Sequence, residues 1–232
     1  MAEVEMRIKK RLQLIASKIP KGSKVADIGT DHAYLPIYLV TEGICPKVIA
    51  TEVLPGPYLK AKENIERFGF VDRIELRYGS GFKPLTSKES DVAVISGMGA
   101  MTIIDIFEES KQIASSFQTI ILQPMKNVAE LRKYLLTHCY KIIDEDVCKE
   151  DGKFYEVLTI KSVGTLAFVE ADVLFGPILR HKKDLITVSY MKYQEKHLKM
   201  IIESLKDSQR TDSKQMILEY KKRLDALKEA IK

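Results

Sequence analysis

Short β-branched apolar runs alternate with helix-spaced stretches through the first 160 residues, and this alternation leaves the chain few folds to adopt. The runs lie at about 24–28, 48–51, 73–78, 91–95 and 119–122, and each is apolar along most of its length rather than at every second position. A strand wetted on one face alternates apolar with polar residues, whereas a strand buried on both faces reads as continuous apolar sequence. The pattern therefore predicts a parallel sheet with helices on both sides, in strand order 3-2-1-4-5. Two further runs, 140–148 and 154–160, flank Lys149-Glu150-Asp151-Gly152-Lys153, where Asp-Gly signals a hairpin. An antiparallel pair closing a five-stranded parallel sheet differs from the symmetric double βαβαβ of dinucleotide dehydrogenases.

Helical spacing appears at both ends of this unit. Residues 3–18 place Val4, Ile8, Leu12 and Ile15 on one stripe, with Arg7, Lys9, Lys10 and Arg11 over much of the remaining surface, and Pro20 and Gly22 end the helix. From about residue 178 a second stripe runs through Leu185, Met191, Leu198, Ile201 and Leu205. After a polar connector at 206–213 a third follows through Ile217, Tyr220, Leu224, Leu227 and Ile231. Steps of three and four residues match an a/d seam, so the expected architecture is residues 1–162 as an α/β domain and residues 163–232 as a coiled-coil helical hairpin. Such a seam can pair within or between chains, which leaves the oligomeric state open, with a monomer as the working expectation.

The formal net charge of +5 is unevenly placed. Residues 1–160 carry 22 Lys and Arg against 22 Asp and Glu, while residues 161–232 carry 15 against 10. A basic appendage beside a neutral domain fits a polyanionic partner, because lysine and arginine gain from releasing counterions condensed on nucleic acid. Lys182, Lys183, Lys192, Lys196, Lys199, Lys221, Lys222 and Arg223 are the candidate phosphate contacts; a solvated helix surface is the competing reading. No apolar run approaches the roughly 18 residues of a membrane span. The N-terminus lacks the apolar core of a signal peptide, so a cytoplasmic location and no membrane partner are expected. Cys45, Cys139 and Cys148 have no CxxC spacing, which supports neither a disulfide framework nor a metal site.

The strand ends carry the chemistry. Asp27-Ile28-Gly29-Thr30-Asp31-His32-Ala33 is a strand, a tight turn and a helix start, the junction that binds nucleotide-like cofactors at the carboxyl edge of a parallel sheet. A dinucleotide fingerprint needs glycine two residues after its first, and here that position is Asp31, whose carboxylate would repel a diphosphate. S-adenosylmethionine has no phosphate and carries a sulfonium and an ammonium, which tolerate an acidic neighbour. Glu52, ending strand two, is placed to accept hydrogen bonds from ribose hydroxyls. Gly79-Ser80-Gly81 after strand three lets backbone approach an adenine, and Gly97-Met98-Gly99 follows strand four beside strand one. The expected donor-binding residues are thus Asp27, Gly29, Thr30, Asp31, His32, Glu52, Gly79, Ser80, Gly81, Gly97 and Met98.

Five segments together resemble the bacterial tRNA adenine-N1-methyltransferases that modify adenine 22. They are the run Asp27 to Pro36, Ser96-Gly97-Met98-Gly99, Ile121-Leu122-Gln123-Pro124-Met125, Glu150 to Glu156, and Phe175-Gly176-Pro177, and the similarity covers nearly the whole chain. Ala33 and Ala100 stand where the family commonly has glycine, and Ser80 where it commonly has aspartate. The resemblance implies a Rossmann-like methyltransferase sheet, S-adenosylmethionine as donor and tRNA as substrate. Adenine N1 already carries a lone pair, so alignment matters more than a strong base, and the product is cationic. Asp31 is the candidate for stabilising that charge or accepting a proton, with Ser96 and Gln123 lining the base pocket; Asp31 can equally serve only the cofactor or the helix start. The alternative reading is a small-molecule methyltransferase with a dimerising hairpin.

Overall fold

The computed structural model describes residues 7–162, 164, 167–206 and 212–231. Seven strands form one sheet: β1 (Val25–Ile28), β2 (Val48–Glu52), β3 (Ile74–Tyr78), β4 (Val92–Met98), β5 (Thr119–Pro124), β6 (Tyr140–Glu150) and β7 (Lys153–Ser162). Their order is β3-β2-β1-β4-β5-β7-β6. The first five are parallel, and β7 pairs antiparallel with both β5 and β6. The strand order and the closing hairpin are those expected from the sequence.

The continuous apolar strands are explained by two cores. Successive side chains point to opposite faces, so Val25, Val92, Val94 and Ile121 join a cluster with Ile15, Ile37, Leu39 and Ile65. Ala26, Ala93, Ile95, Ile120 and Leu122 join the other, with Phe82, Ile103, Phe107 and Leu131. The first face is covered by α1 (Lys10–Ser17), α2 (Tyr34–Thr41) and α3 (Pro55–Arg67). The second is covered by α4 (Ala100–Glu109), α5 (Lys111–Ala114) and α6 (Val128–Thr137). Burial of such side chains contributes on the order of 1.5–3 kcal/mol each.

Three expectations change. The N-terminal helix, expected over 3–18, begins at Lys10; residues 7–9 are not helical, and Val4 lies outside the described residues. The helical region, expected from about residue 178, starts earlier with α7 (Glu170–Phe175), and a 3-10 turn at Leu179–His181 separates it from the long helices α8 (Leu185–Lys206) and α9 (Ser213–Ile231). Leu185 is 91% exposed, outside the seam. The buried stripe of α8 is instead Tyr190, Met191, Leu198, Ile202 and Leu205, of which the first four cluster with Leu224 and Leu227 of α9. The connector at 207–211 and the side chain of Ile231 lie outside the described residues.

The helical segment is fastened to the sheet by buried charge. Arg132 on α6 donates from Nε to Glu145 on β6 at 2.8 Å and from Nη2 to Glu156 on β7. The second oxygen of Glu156 accepts from Tyr190 of α8 at 2.6 Å. Glu145 also accepts the backbone N–H groups of Ile178 and Leu179. Its carboxylate fills the space where a side chain on Gly176 would stand, which accounts for glycine between Phe175 and Pro177. On the other face of the edge strand, Lys18 and Lys182 share Asp144 and Asp146.

Candidate functional site

The carboxyl ends of β1, β2, β3 and β4 converge on a cleft of about 510 Å³, a size suited to a cofactor-sized ligand. Every residue expected to bind the donor lines it: Asp27, Gly29, Thr30, Asp31 and His32 after β1, Glu52 after β2, Gly79, Ser80 and Gly81 after β3, and Gly97 and Met98 at the end of β4. Ser96 lines it as well. Exposed apolar side chains of Tyr34, Leu54 and Met125 stand at the same cleft, the kind of surface a flat ring covers.

The first turn is built by alternating left-handed residues: Gly29, Asp31 and Ala33 have φ of 69°, 54° and 58°. The carbonyl of Thr51 accepts the N–H groups of both Gly29 and Thr30 at 2.9 Å, which ties the turn to β2. Gly29 is favoured by its φ of 69°; a side chain there would also displace the Met98 methyl group, the mobile end of a flexible chain. Ala33 sits at the N-cap of α2 in a conformation that favours glycine, which is the physical content of its departure from the family pattern. Asp31 projects outward with its side chain 66% exposed, 3.5 Å from His32 Nε2. His32 stacks on Tyr34, and its carbonyl accepts from Asn64 of α3.

Glu52 is buried and holds the turns together. One carboxylate oxygen accepts from Val53 and Leu54 N–H and the other from Asp31 N–H at 3.0 Å. A carboxylate has about four acceptor positions, so a ribose hydroxyl can still be received. Asp27 lies deeper, accepting from Thr30 Oγ1 at 2.6 Å. Burial pushes its carboxyl up to about 6; the Thr30 hydrogen bond opposes the shift and the nearby Glu52 charge adds to it. No lysine or arginine pairs with either acid among the described residues, so a ligand cation would supply the missing countercharge. The residues present thus fit a sulfonium and an ammonium; among the described residues no cluster of His, Cys, Asp or Glu is arranged to hold a metal ion.

The end of β4 is irregular in a way that shapes the far wall. Ser96 pairs with Gln123 and Met98 with Pro124, which leaves Gly97 as a bulge, a device that re-aims side chains beside active sites. The freed Gly97 N–H donates to Gln123 Oε1 at 3.2 Å, and Arg11 Nη1 donates to the same oxygen at 2.6 Å. Gln123, expected to line the base pocket, is therefore fully buried one layer beneath it and supports Gly97 instead. Arg11, expected from the sequence among the basic residues on the surface of the N-terminal helix, is instead half-buried at the cleft; its place four residues before buried Ile15 was the available signal, since residues four apart on a helix share a face.

The basic residues of the helical region divide. Lys182 is held by Asp144 and Asp146, Lys199 by Glu195 and Arg223 by Glu219. Lys192, Lys196, Lys221 and Lys222 are exposed.

Comparison with known proteins points the same way. Residues 8–158 match the methyltransferase-domain family. The tRNA (adenine(22)-N(1))-methyltransferase of Bacillus subtilis is 35% identical over 98% of this chain and 98% of its own length. The crystal structure of the B. subtilis m1A22 tRNA methyltransferase TrmK superposes with a TM-score of 0.86 at 34% identity, covering 98% of this chain and 100% of that one. M. capricolum TrmK in complex with the cofactor product S-adenosyl-homocysteine superposes with a TM-score of 0.81 at 28% identity over 97% of both chains.

Proposed function

The chain belongs to the tRNA (adenine(22)-N(1))-methyltransferase family, and on that premise we propose that it transfers a methyl group from S-adenosyl-L-methionine to N1 of adenine 22 in tRNA. The observation that carries this reading is the cleft itself: two buried carboxylates without a cationic partner, at the carboxyl edge of a methyltransferase sheet, in a chain matched end to end by a tRNA methyltransferase.

S-adenosyl-L-methionine supplies an activated methyl group on a cationic sulfur. Asp27 and the Gly29–Thr30 backbone hold its positive end, Glu52 takes a ribose hydroxyl, and Gly79, Ser80 and Gly81 border the adenine of the donor. The Gly97 bulge, propped by Gln123, positions Ser96 and Met98 where the target base meets the methyl group. N1 attacks with its own lone pair, so correct placement, which can contribute roughly 7–11 kcal/mol, does most of the work. The base gains positive charge as the bond forms, and Asp31, exposed at the cleft, stabilises it or accepts a proton from the exocyclic amine. Residues 1–162 form the catalytic unit. Residues 163–232 hold the tRNA through Lys192, Lys196, Lys221 and Lys222, in a single chain acting in the cytoplasm. The apolar seam of α8 and α9 is covered within the chain, which supports this role over dimerisation.

The test is transfer of labelled methyl from the donor to unmodified tRNA, with the modified base mapped. Label at N1 of adenine 22, lost when that base is changed to guanine, is the expected result. Tight donor binding with no transfer to any tRNA overturns the reading.

A further inference from the structure

The arginines of this protein have different partners. Arg77, Arg132, Arg180 and Arg223 each meet a carboxylate. Arg11, half-buried in the wall of the cleft, has no carboxylate ion pair among the described residues. It is nevertheless held in place. Its Nη1 donates to Gln123 Oε1, its guanidinium lies 5.6 Å from the centre of the Tyr155 ring, and its backbone N–H donates to Glu150 at 3.0 Å. Two of the segments singled out in the sequence, Gln123-Pro124 and Glu150 to Glu156, thus converge on one arginine. Next to Tyr155 in sequence, Glu156 engages Arg132 and Tyr190 instead.

A guanidinium has five N–H donors, and the bond to Gln123 uses one. Nη1 lies beside the Gly97 backbone, 3.5 Å from where a Cβ on that residue would stand, and Arg11 itself lines the cleft. A fixed, partly desolvated charge with unused donors matches an oxyanion, which its fork can grip with two parallel hydrogen bonds. The target base is the wrong partner, since it becomes cationic during transfer and a facing arginine would oppose that charge. We propose that Arg11 is the oxyanion receptor of the cleft, preset by Gln123 and Tyr155. Resting on the function proposed above, two groups of the reacting pair offer such an oxyanion: the carboxylate of the methyl donor and a phosphodiester flanking the target adenosine.

Two binding measurements on Arg11→Gln and Arg11→Lys distinguish them. In the first, S-adenosylmethionine and its decarboxylated analogue are titrated by calorimetry. If the carboxylate is the partner, Arg11→Gln weakens binding of the intact donor roughly tenfold or more and leaves the analogue unchanged. In the second, tRNA affinity is followed against salt. If a phosphodiester is the partner, the slope of log affinity against log salt falls by about 0.9 in Arg11→Gln and returns in Arg11→Lys. A role confined to propping Gln123 changes neither the carboxylate preference nor the salt slope, so a folded Arg11→Gln protein that matches the wild type in both overturns the proposal. Should Arg11→Gln fail to fold, Arg11→Ala, which also removes the charge, takes its place in both measurements, and an unchanged carboxylate preference together with an unchanged salt slope overturns the proposal equally. Neither measurement requires catalysis, so a wild-type protein that binds but methylates no tRNA overturns the proposed function while Arg11 is still tested.

Discussion

Two places in this protein bury a pair of acids, and they resolve the charge in opposite ways. Between α6, the β6–β7 hairpin and α8, Glu145 and Glu156 are joined by fully buried Arg132. Burial works against the charge of that arginine, yet the Glu156 and Glu145 carboxylates raise its pKa. In the cleft, Asp27 and Glu52 are equally sequestered but receive only hydroxyl and backbone donors. In the first arrangement each carboxylate meets the arginine, and the cluster fixes where the helical segment sits. The second lacks a cation, and Asp27 bears the cost as a raised pKa. A buried carboxylate without its countercharge is thus a mark of a binding site, whereas one with its arginine is a mark of architecture.

Breaking the first arrangement has the largest expected effect. Arg132→Met strands two buried carboxylates and is expected to cost about 3–5 kcal/mol of stability, read as a lower urea midpoint and weaker protection of α8 in hydrogen exchange. If the midpoint stays within experimental error of the wild type, the architectural reading fails.

Asp27→Asn acts on the other member of the pair with the opposite sign for stability. The folded carboxyl titrates near 6 and the unfolded one near 3.8. Between those values the native state holds more protons, so stability falls as pH rises through that window and stays lower above it. A shift of that size corresponds to about 3 kcal/mol. Asp27→Asn should therefore raise the melting temperature of the ligand-free protein at pH 8, flatten its pH dependence between 4 and 6, and weaken donor binding. In the wild type, a bound donor cation favours ionised Asp27, so affinity should fall as pH drops below about 6. A variant less stable than the wild type at pH 8 would contradict the view that this acid awaits a cation.

Asp31→Asn sharpens the cleft side further. A role in stabilising the charged base predicts a roughly hundredfold loss in kcat with donor affinity nearly kept, measured in single-turnover methyl transfer. Weaker donor binding with normal turnover would assign Asp31 to the cofactor alone. The smallest effect is expected from Tyr190→Phe, which removes the hydroxyl that joins α8 to Glu156. About 1.5 kcal/mol of stability should be lost, with donor binding unchanged. A matching loss of donor affinity would show that the two acid sites are coupled.

The cleft was legible because its chemistry sits at strand ends. Asp27, Gly29, Glu52, Gly79 and Gly97 each follow an apolar run, and a parallel sheet brings consecutive carboxyl ends to one edge. Other features were not legible. Nothing local marks Glu145 or Glu156 as buried, since their partners lie on α6, α8 and the turn after Gly176. Leu185 was placed on the stripe although it lies six residues before Met191, outside the three-and-four step, and it is exposed, whereas Thr187, which is in step, is buried.

The sequence by itself determined the sheet, its strand order, the closing hairpin and the residues that the ends of β1 to β3 bring to the cleft, because periodicity and turn chemistry act over a few residues. Only the tertiary structure decided the wall built at the end of β4. The Gly97 bulge, the burial of Gln123 and the placement of Arg11 all depend on contacts between segments far apart in the chain; the Arg11–Gln123 bond alone spans 112 positions. Such contacts are selected by how whole elements pack, and no local pattern of residue types encodes them.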